Sequence, residues 1–148
     1  MTKILLIHGP NFNMLGKREP QIYGTETLAD LEKKCIDHAA QYDFSIDCYQ
    51  SNHEGEIIES VHAAIDQYDA VIINAGAYTH TSIAIHDALK LLSCPIFEVH
   101  ISNIEEREEF RRHSYITPVA AALIMGQGTD GYLQAIDKIR ETINSSGE

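Results

Sequence analysis

Five short runs of apolar, mostly branched residues recur along the chain, at Lys3 to His8, Phe44 to Gln50, Ala70 to Asn74, Ile96 to His100 and Val119 to Met125. Each is bounded by Gly, Pro, Asn or Asp, so the five runs predict β-strands. Between them the apolar positions change to helical spacing: Leu28, Leu31, Cys35 and Ala39 after the first run, then Ile57, Ile58, Val61, Ala64 and Ile65 after the second. Thr27 with Asp30 three residues on predicts a capping box at the start of the first helix. Ser82 to Leu92 and Tyr132 to Ile143 carry the later helices, and Ile104 to Arg112 reads as a short charged helix. Strict alternation of strand and helix implies a parallel sheet covered on both faces by right-handed crossovers. The expected fold is a flavodoxin-like, doubly wound α/β domain of three layers around a five-stranded parallel sheet, spanning residues 1–148 as one unit.

Composition narrows the partners. With 44% apolar and 22% charged residues, the 148-residue chain has enough apolar matter for its own core and no bias toward disorder. Its formal net charge of −11 repels phosphate backbones and anionic lipid, which argues against nucleic acid or membrane surfaces as partners. No run near the start approaches the length of a signal-peptide core or a membrane span, so a cytoplasmic location is expected. Cys35, Cys48 and Cys94 form no CxxC pair and read as buried free thiols.

In doubly wound folds ligands sit outside the carboxyl ends of the strands, near the point where strand order reverses. The segments expected there are His8 to Gly24, Gln50 to Glu56, Asn74 to Ser82, His100 to Ser114 and Gly126 to Tyr132. Arg18, Arg107, Arg111 and Arg112 all fall in them, so an acidic chain has gathered positive charge at one rim, as a small anionic ligand requires. The stretch from Gly9 to Gly24 is long for a strand-to-helix connection and suggests an active-site cover carrying Asn11, Asn13, Arg18 and Tyr23. Asn11 and Asn13 could equally satisfy turn amides. Glu98, His100 and Ser102 alternate and share one face if the strand continues, which lets the carboxylate orient the imidazole as a general acid or base; a buried polar pair at a strand end is the simpler alternative.

Other chemistries find little support. GxSxG is absent, so an acyl-enzyme nucleophile has no elbow to stand on. Eight histidines invite a metal, yet HExxH and Cys/His pairs are missing and His80 to His86 is not the helical i to i+4 spacing, so no metal and no cofactor are expected. Only Lys17 among the lysines nears the rim, leaving no Schiff-base candidate. Gly126 to Gly131 spells GxGxxG, but it follows the last strand, where a glycine turn and helix start explain it better than a pyrophosphate cradle. The rival to an enzyme is therefore a non-catalytic, flavodoxin-like nucleotide-binding module. A phospho-receiver would need carboxylates where His8 and Asn74 stand.

Five blocks, GPNFNMLGKREPQIYG, QSNHEG, NAGAYTHTS, EVHISNIEEREEFRRHS and GQGTDGY, appear in an order and spacing that resemble the type II 3-dehydroquinate dehydratases from Ile4 to Tyr132. Ala75 and Gln127 depart from the Pro and Phe that the resemblance leads one to expect. The resemblance implies a metal-free, reversible anti-elimination of water from 3-dehydroquinate through an enolate. It implies Tyr23 as the base, Arg18 beside it, Asn11 stabilising the enolate, and His100, held by Glu98, as the acid. Asn74, His80 and Arg111 would grip the substrate, Ile101 and Ser102 would receive its carboxylate, and Asp87 would come from a neighbouring subunit of a homododecamer built from trimers. Holding half of Tyr23 ionised near neutrality costs roughly 4 kcal/mol, because a phenol ordinarily titrates near about 10. One arginine at about 4 Å supplies about 4 kcal/mol at an effective dielectric of about 20, before desolvation is subtracted. A second cation is therefore expected, with Arg107 supplementing Arg18.

Overall fold

The computed structural model describes residues 1–17, 21 and 24–146. Arg18 and Tyr23 lie outside the described residues. A parallel sheet runs through the middle in the order β2-β1-β3-β4-β5, with β1 (Lys3–His8), β2 (Ser45–Gln50), β3 (Ala70–Asn74), β4 (Ile96–His100) and β5 (Ala122–Met125). β1, β3 and β4 have the bounds that the apolar runs predict. They occupy the centre of the sheet, and every residue in them except Lys3 is buried, as expected of strands covered on both faces.

Alternation along the strands divides the core. Ile4, Leu6, Ile72, Phe97 and Val99 face α1 (Leu28–Ala40) and α4 (Asp130–Ser146). Leu5, Ile7, Val71, Ile73 and Ile96 face α2 (Glu54–Ala64) and α3 (Ile83–Leu89). The result is the three-layer arrangement expected of the pattern. At the start of α1, Thr27 Oγ1 accepts from Asp30 N at 3.1 Å and Asp30 Oδ2 accepts from Thr27 N at 3.1 Å, the anticipated capping box. Cys35 is buried, whereas Cys48 and Cys94 are only partly so. Burial pushes the Cys35 and Cys48 thiols up to about 12, so they remain protonated packing groups.

Five elements differ from the sequence expectation, β2 only in starting at Ser45 and not Phe44. The stretch Ile104 to Arg112 is not one helix but two 3-10 turns, Ile104–Glu106 and Glu109–Arg111, separated by an extended Arg107. Only Ile104 there is buried, so no apolar stripe anchors a longer helix against the crowding of four glutamates. α3 begins at Ile83, where Ser82 Oγ accepts from Ile85 N at 2.9 Å, and it ends at Leu89 because Leu91 and Leu92 bond three residues back. β5 begins at Ala122, later than expected, because Pro118 lies in a 3-10 turn, Thr117–Val119, and has no N–H for the ladder. α4 extends beyond the expected Tyr132 to Ile143 at both ends. Among the described residues no helix is long and apolar enough to cross a membrane.

β1 and β3 are the adjacent strands at which the order reverses, and the loops leaving them touch. A Cβ on Gly9 would stand 2.3 Å from the Ala75 carbonyl oxygen, and Gly9 N donates to Asn74 O at 2.8 Å. The close approach therefore requires glycine. Gly9→Ala is expected to force the two loops apart and cost about 1–3 kcal/mol, read as a lower midpoint in denaturant unfolding; an unchanged midpoint would show that the loops separate freely.

Candidate active site

A cavity of about 170 Å³ opens where β1, β3 and β4 end. Such a position follows from the topology, since crossovers leave β1 and β3 in opposite directions and part above the sheet. Asn11, Asn74, His80, His100, Ile101, Ser102 and Arg111, all anticipated from sequence, line it together with Arg107. Pro10, Phe12, Met14, Leu15 and Ile104 add an apolar wall that no periodicity in the sequence marks.

Most of the polar groups arrive with part of their hydrogen-bonding capacity already assigned. Glu98, 1% exposed on β4, faces His100 Nε2 through Oε2 at 2.6 Å. The same oxygen accepts from Ser114 Oγ at 2.6 Å, and Oε1 accepts from Thr117 Oγ1 at 2.5 Å. Burial pushes the Glu98 carboxyl up, but the bonds from His100, Ser114 and Thr117 outweigh it and leave the group below the usual carboxylate range. An ionised Glu98 requires His100 to donate from Nε2, so Nδ1 is the nitrogen left for other work. Ser114 and Thr117 went unnoticed in the sequence. The available signal was Ser-x-Ile-Thr-Pro, in which Ser114 Oγ also accepts from Ile116 N at 3.0 Å and Thr117 N at 3.2 Å.

His80 closes a 3-10 turn, Gly76–His80, and Asp87 lies beyond it on α3. Its Nδ1 donates to the His113 carbonyl at 2.8 Å, and its ring stacks on His100 with centroids 6.4 Å apart. Partial burial pulls its titration below the usual imidazole range; the His113 carbonyl opposes this, while His100 and Arg111 add to it. A neutral His80 then presents Nε2 as an acceptor, suited to a hydroxyl. Asn74, 3% exposed, donates from Nδ2 to Tyr132 Oη at 3.0 Å and accepts from Gly76 N at 3.1 Å, keeping one amide hydrogen.

The arginines are positioned by one another's partners. Glu108 reaches Arg107 Nε at 3.4 Å and Arg111 Nε at 3.1 Å, and Arg107 Nη1 also donates to Ser102 Oγ at 3.0 Å. Two cations therefore share one exposed carboxylate, leaving local positive charge for an anion. Arg112, grouped with them in sequence, instead donates from Nε to the Arg107 carbonyl at 2.9 Å and is not among the described lining residues. β4 ends at His100, so Ser102 reaches the cavity from a bend, not from continued strand alternation. Asp87 is exposed on α3 and does not line the cavity.

The glycine motif at residues 126–131 behaves as a turn. Gly126 and Gly128 take positive φ, and Gly128 N donates to Ile101 O at 3.1 Å, so it braces the cavity segment from behind. Among the described residues no group of three or more His, Cys, Asp or Glu is placed to hold a metal ion. Beneath the floor, His8 is fully buried with neither ring nitrogen hydrogen-bonded among the described residues. Its Nε2 lies 3.3 Å from Glu32 Oε2, out of alignment for a bond but close enough to hold the Glu32 carboxyl below its usual range.

Fold and cavity together define a doubly wound α/β protein with a small cavity, flanked by Arg107 and Arg111, beside a carboxylate-supported histidine at a strand end. The family Dehydroquinase class II matches residues 2–140, and the chain belongs to that family. It is 48% identical to the 3-dehydroquinate dehydratase of Ruegeria pomeroyi, covering 99% of each chain. It is 52% identical to the catabolic 3-dehydroquinase of Talaromyces marneffei, covering 92% of this chain and 78% of the relative. The crystal structure of type II dehydroquinase from Butyrivibrio crossotus superposes with a TM-score of 0.90 at 47% identity, covering 94% of this chain and 97% of that one.

Because the Glu98 carboxyl titrates lower folded than unfolded, its contribution to stability is complete above about pH 4.3 and is lost as pH falls through the folded value. Unfolding measured from about pH 7 down to about pH 3 should show a larger acid-dependent loss in the wild type than in Glu98→Gln, where the other lowered carboxyls such as Glu32 remain. The variant should also be about 1–3 kcal/mol less stable at neutral pH. Parallel curves would mean that Glu98 is not ionised in the fold.

Proposed function

We propose that the chain is a 3-dehydroquinate dehydratase, a hydro-lyase that reversibly removes water from 3-dehydroquinate to give 3-dehydroshikimate, in the shikimate pathway or in quinate catabolism. The observation that carries this reading is the 2.6 Å contact between His100 and a buried Glu98, beside Arg107 and Arg111, in a chain of the dehydroquinase family. The nucleotide-binding alternative has lost its main support, since the Gly128 amide is committed to Ile101.

In the proposed cycle the Tyr23 phenolate takes a proton from the carbon beside the substrate ketone, and the electron pair moves onto the carbonyl oxygen as an enolate. Asn11 stabilises that charge through water. The enolate then collapses, the C–O bond to the departing hydroxyl breaks, and His100 supplies the proton that makes it water. Glu98 supplies the counter-charge the ring needs while it carries that proton. Proton exchange with solvent returns Tyr23 and His100 to their starting states. Arg18 and Arg107 favour the tyrosinate, Asn74, His80 and Arg111 hold the substrate, and Ile101 with Ser102 receive its carboxylate. The scheme calls on no cofactor.

The same reading makes residues 1–148 one catalytic domain of a cytoplasmic homododecamer built from trimers, with Asp87 reaching a neighbour's cavity. Its exposed position on α3, away from its own cavity, suits that role. Full activity in a monomer would remove Asp87 from the site.

The decisive assay follows the near-ultraviolet absorbance of the conjugated enone formed from 3-dehydroquinate, with chelator present, in wild type and Tyr23→Phe. Product in the wild type alone would support both the reaction and the base; equal activity would displace Tyr23, and an inactive, properly assembled wild type would overturn the assignment. In a spectrophotometric titration, neutralising Arg18 or Arg107 should raise the Tyr23 pKa, and an unshifted titration in both variants would remove the two-arginine account.

A further inference from the structure

Asn11 stands in the left-handed region, with φ +72°, at the point where the chain leaves β1 and starts the 3-10 turn Phe12–Met14. A non-glycine residue holds that conformation only where its surroundings select it, though asparagine resists it less than most. The selecting contact comes from outside the cavity. Asn11 N donates to Asn52 Oδ1 at 2.9 Å, and Gln50 Nε2 donates to the same oxygen at 3.1 Å.

Both partners are themselves tied. Gln50 Nε2 also donates to the Gly9 carbonyl at 3.1 Å, and the Asn52 carbonyl accepts from Tyr78 Oη at 2.9 Å. Ser51 between them donates its N–H to the His8 carbonyl at 3.1 Å and its hydroxyl to Glu56 Oε1 at 2.5 Å. The end of β2 is thereby stitched to the end of β1 on one side and to the β3 loop on the other. None of Gln50, Ser51 and Asn52 is among the described lining residues of the cavity.

We propose that Asn52 is a positioning residue for the dehydratase reaction: its side-chain oxygen sets the Asn11 backbone, and with it the carboxamide that meets the enolate. This rests on the role given to Asn11 above. Asn52 is exposed, so water can take over its hydrogen bond to the Asn11 amide with little loss of folding free energy. Water cannot hold the loop in one place. The consequence is a residue whose loss is felt in turnover and not in stability, because a displacement of about 1 Å at a reacting group is enough to cost up to about 100-fold.

The test compares wild type, Asn52→Ala and Asn52→Asp as assembled enzymes, by steady-state kinetics on 3-dehydroquinate, thermal unfolding, and deuterium uptake of the peptide covering residues 9–17. Asn52→Ala is expected to lower kcat about 10- to 100-fold. Its KM should move less than about threefold and its melting temperature less than about 3 °C, while uptake in the peptide rises. Asn52→Asp keeps an oxygen for both donors and should restore kcat to within about threefold and uptake to the wild-type level. An unchanged kcat in Asn52→Ala, or an Asp variant as impaired as Ala, overturns the proposal. If Asn52→Ala does not assemble, Tyr78→Phe removes only the hydroxyl anchoring the Asn52 carbonyl and should lower kcat about 2- to 10-fold; no change there overturns it equally. A wild type without activity removes the dehydratase reading, and the uptake comparison still decides whether Asn52 holds the Asn11 loop.

Discussion

A carboxylate placed in the middle of an apolar sheet must be fully hydrogen-bonded or it will not stay ionised, and Glu98 meets that requirement with donors from three places. Two of them, Ser114 and Thr117, lie well beyond the end of β4, so the chain between has to turn back over the sheet to bring them in. That return carries the site with it. Arg111 comes to the rim, the His113 carbonyl sets which nitrogen of His80 carries the proton, and Tyr115 N bonds Thr79 O at 2.9 Å, closing the segment onto the β3 loop. The requirement of one buried charge thus fixes the mutual placement of His100, His80 and Arg111.

Charge elsewhere is arranged to leave that rim distinct. Lys3 pairs with Asp47, Lys33 with Asp37, and Lys34 with both Glu26 and Asp130, so these cations are spent against the acidic surface. At the cavity, among the described residues, Arg107 and Arg111 share Glu108 as their one carboxylate. In a chain of net charge −11, such a site attracts a small anion locally while the molecule as a whole repels polyanions. Exposed pairs of this kind contribute little to folding, so their value lies in orientation.

The same division between holding and reacting recurs at the other strand ends. Tyr132 is buried on α4 and holds Asn74, Gly128 braces Ile101, and Asn52 braces Asn11. Each of these three cavity groups has a partner behind it on a different element. A parallel sheet makes this possible because all five carboxyl ends, with their polar loops, converge at one edge.

What could be read from the residues themselves was whatever depends on short range. Continuous burial gave β1, β3 and β4 their bounds, Thr27 and Asp30 capped α1 as their spacing requires, and the alternation of Glu98 with His100 placed a carboxylate beside an imidazole. Arg107 and Arg111 were likewise legible as rim charges, but Arg112 was not separable from them, because its direction depends on a carbonyl five residues away in a non-helical segment. The tertiary structure alone decided that Ser114 and Thr117 serve Glu98, that Tyr132 serves Asn74 across 58 positions, and that Asn52 serves Asn11 across 41. Such pairings follow from sheet order and register, which set distant segments side by side, and no local periodicity encodes them.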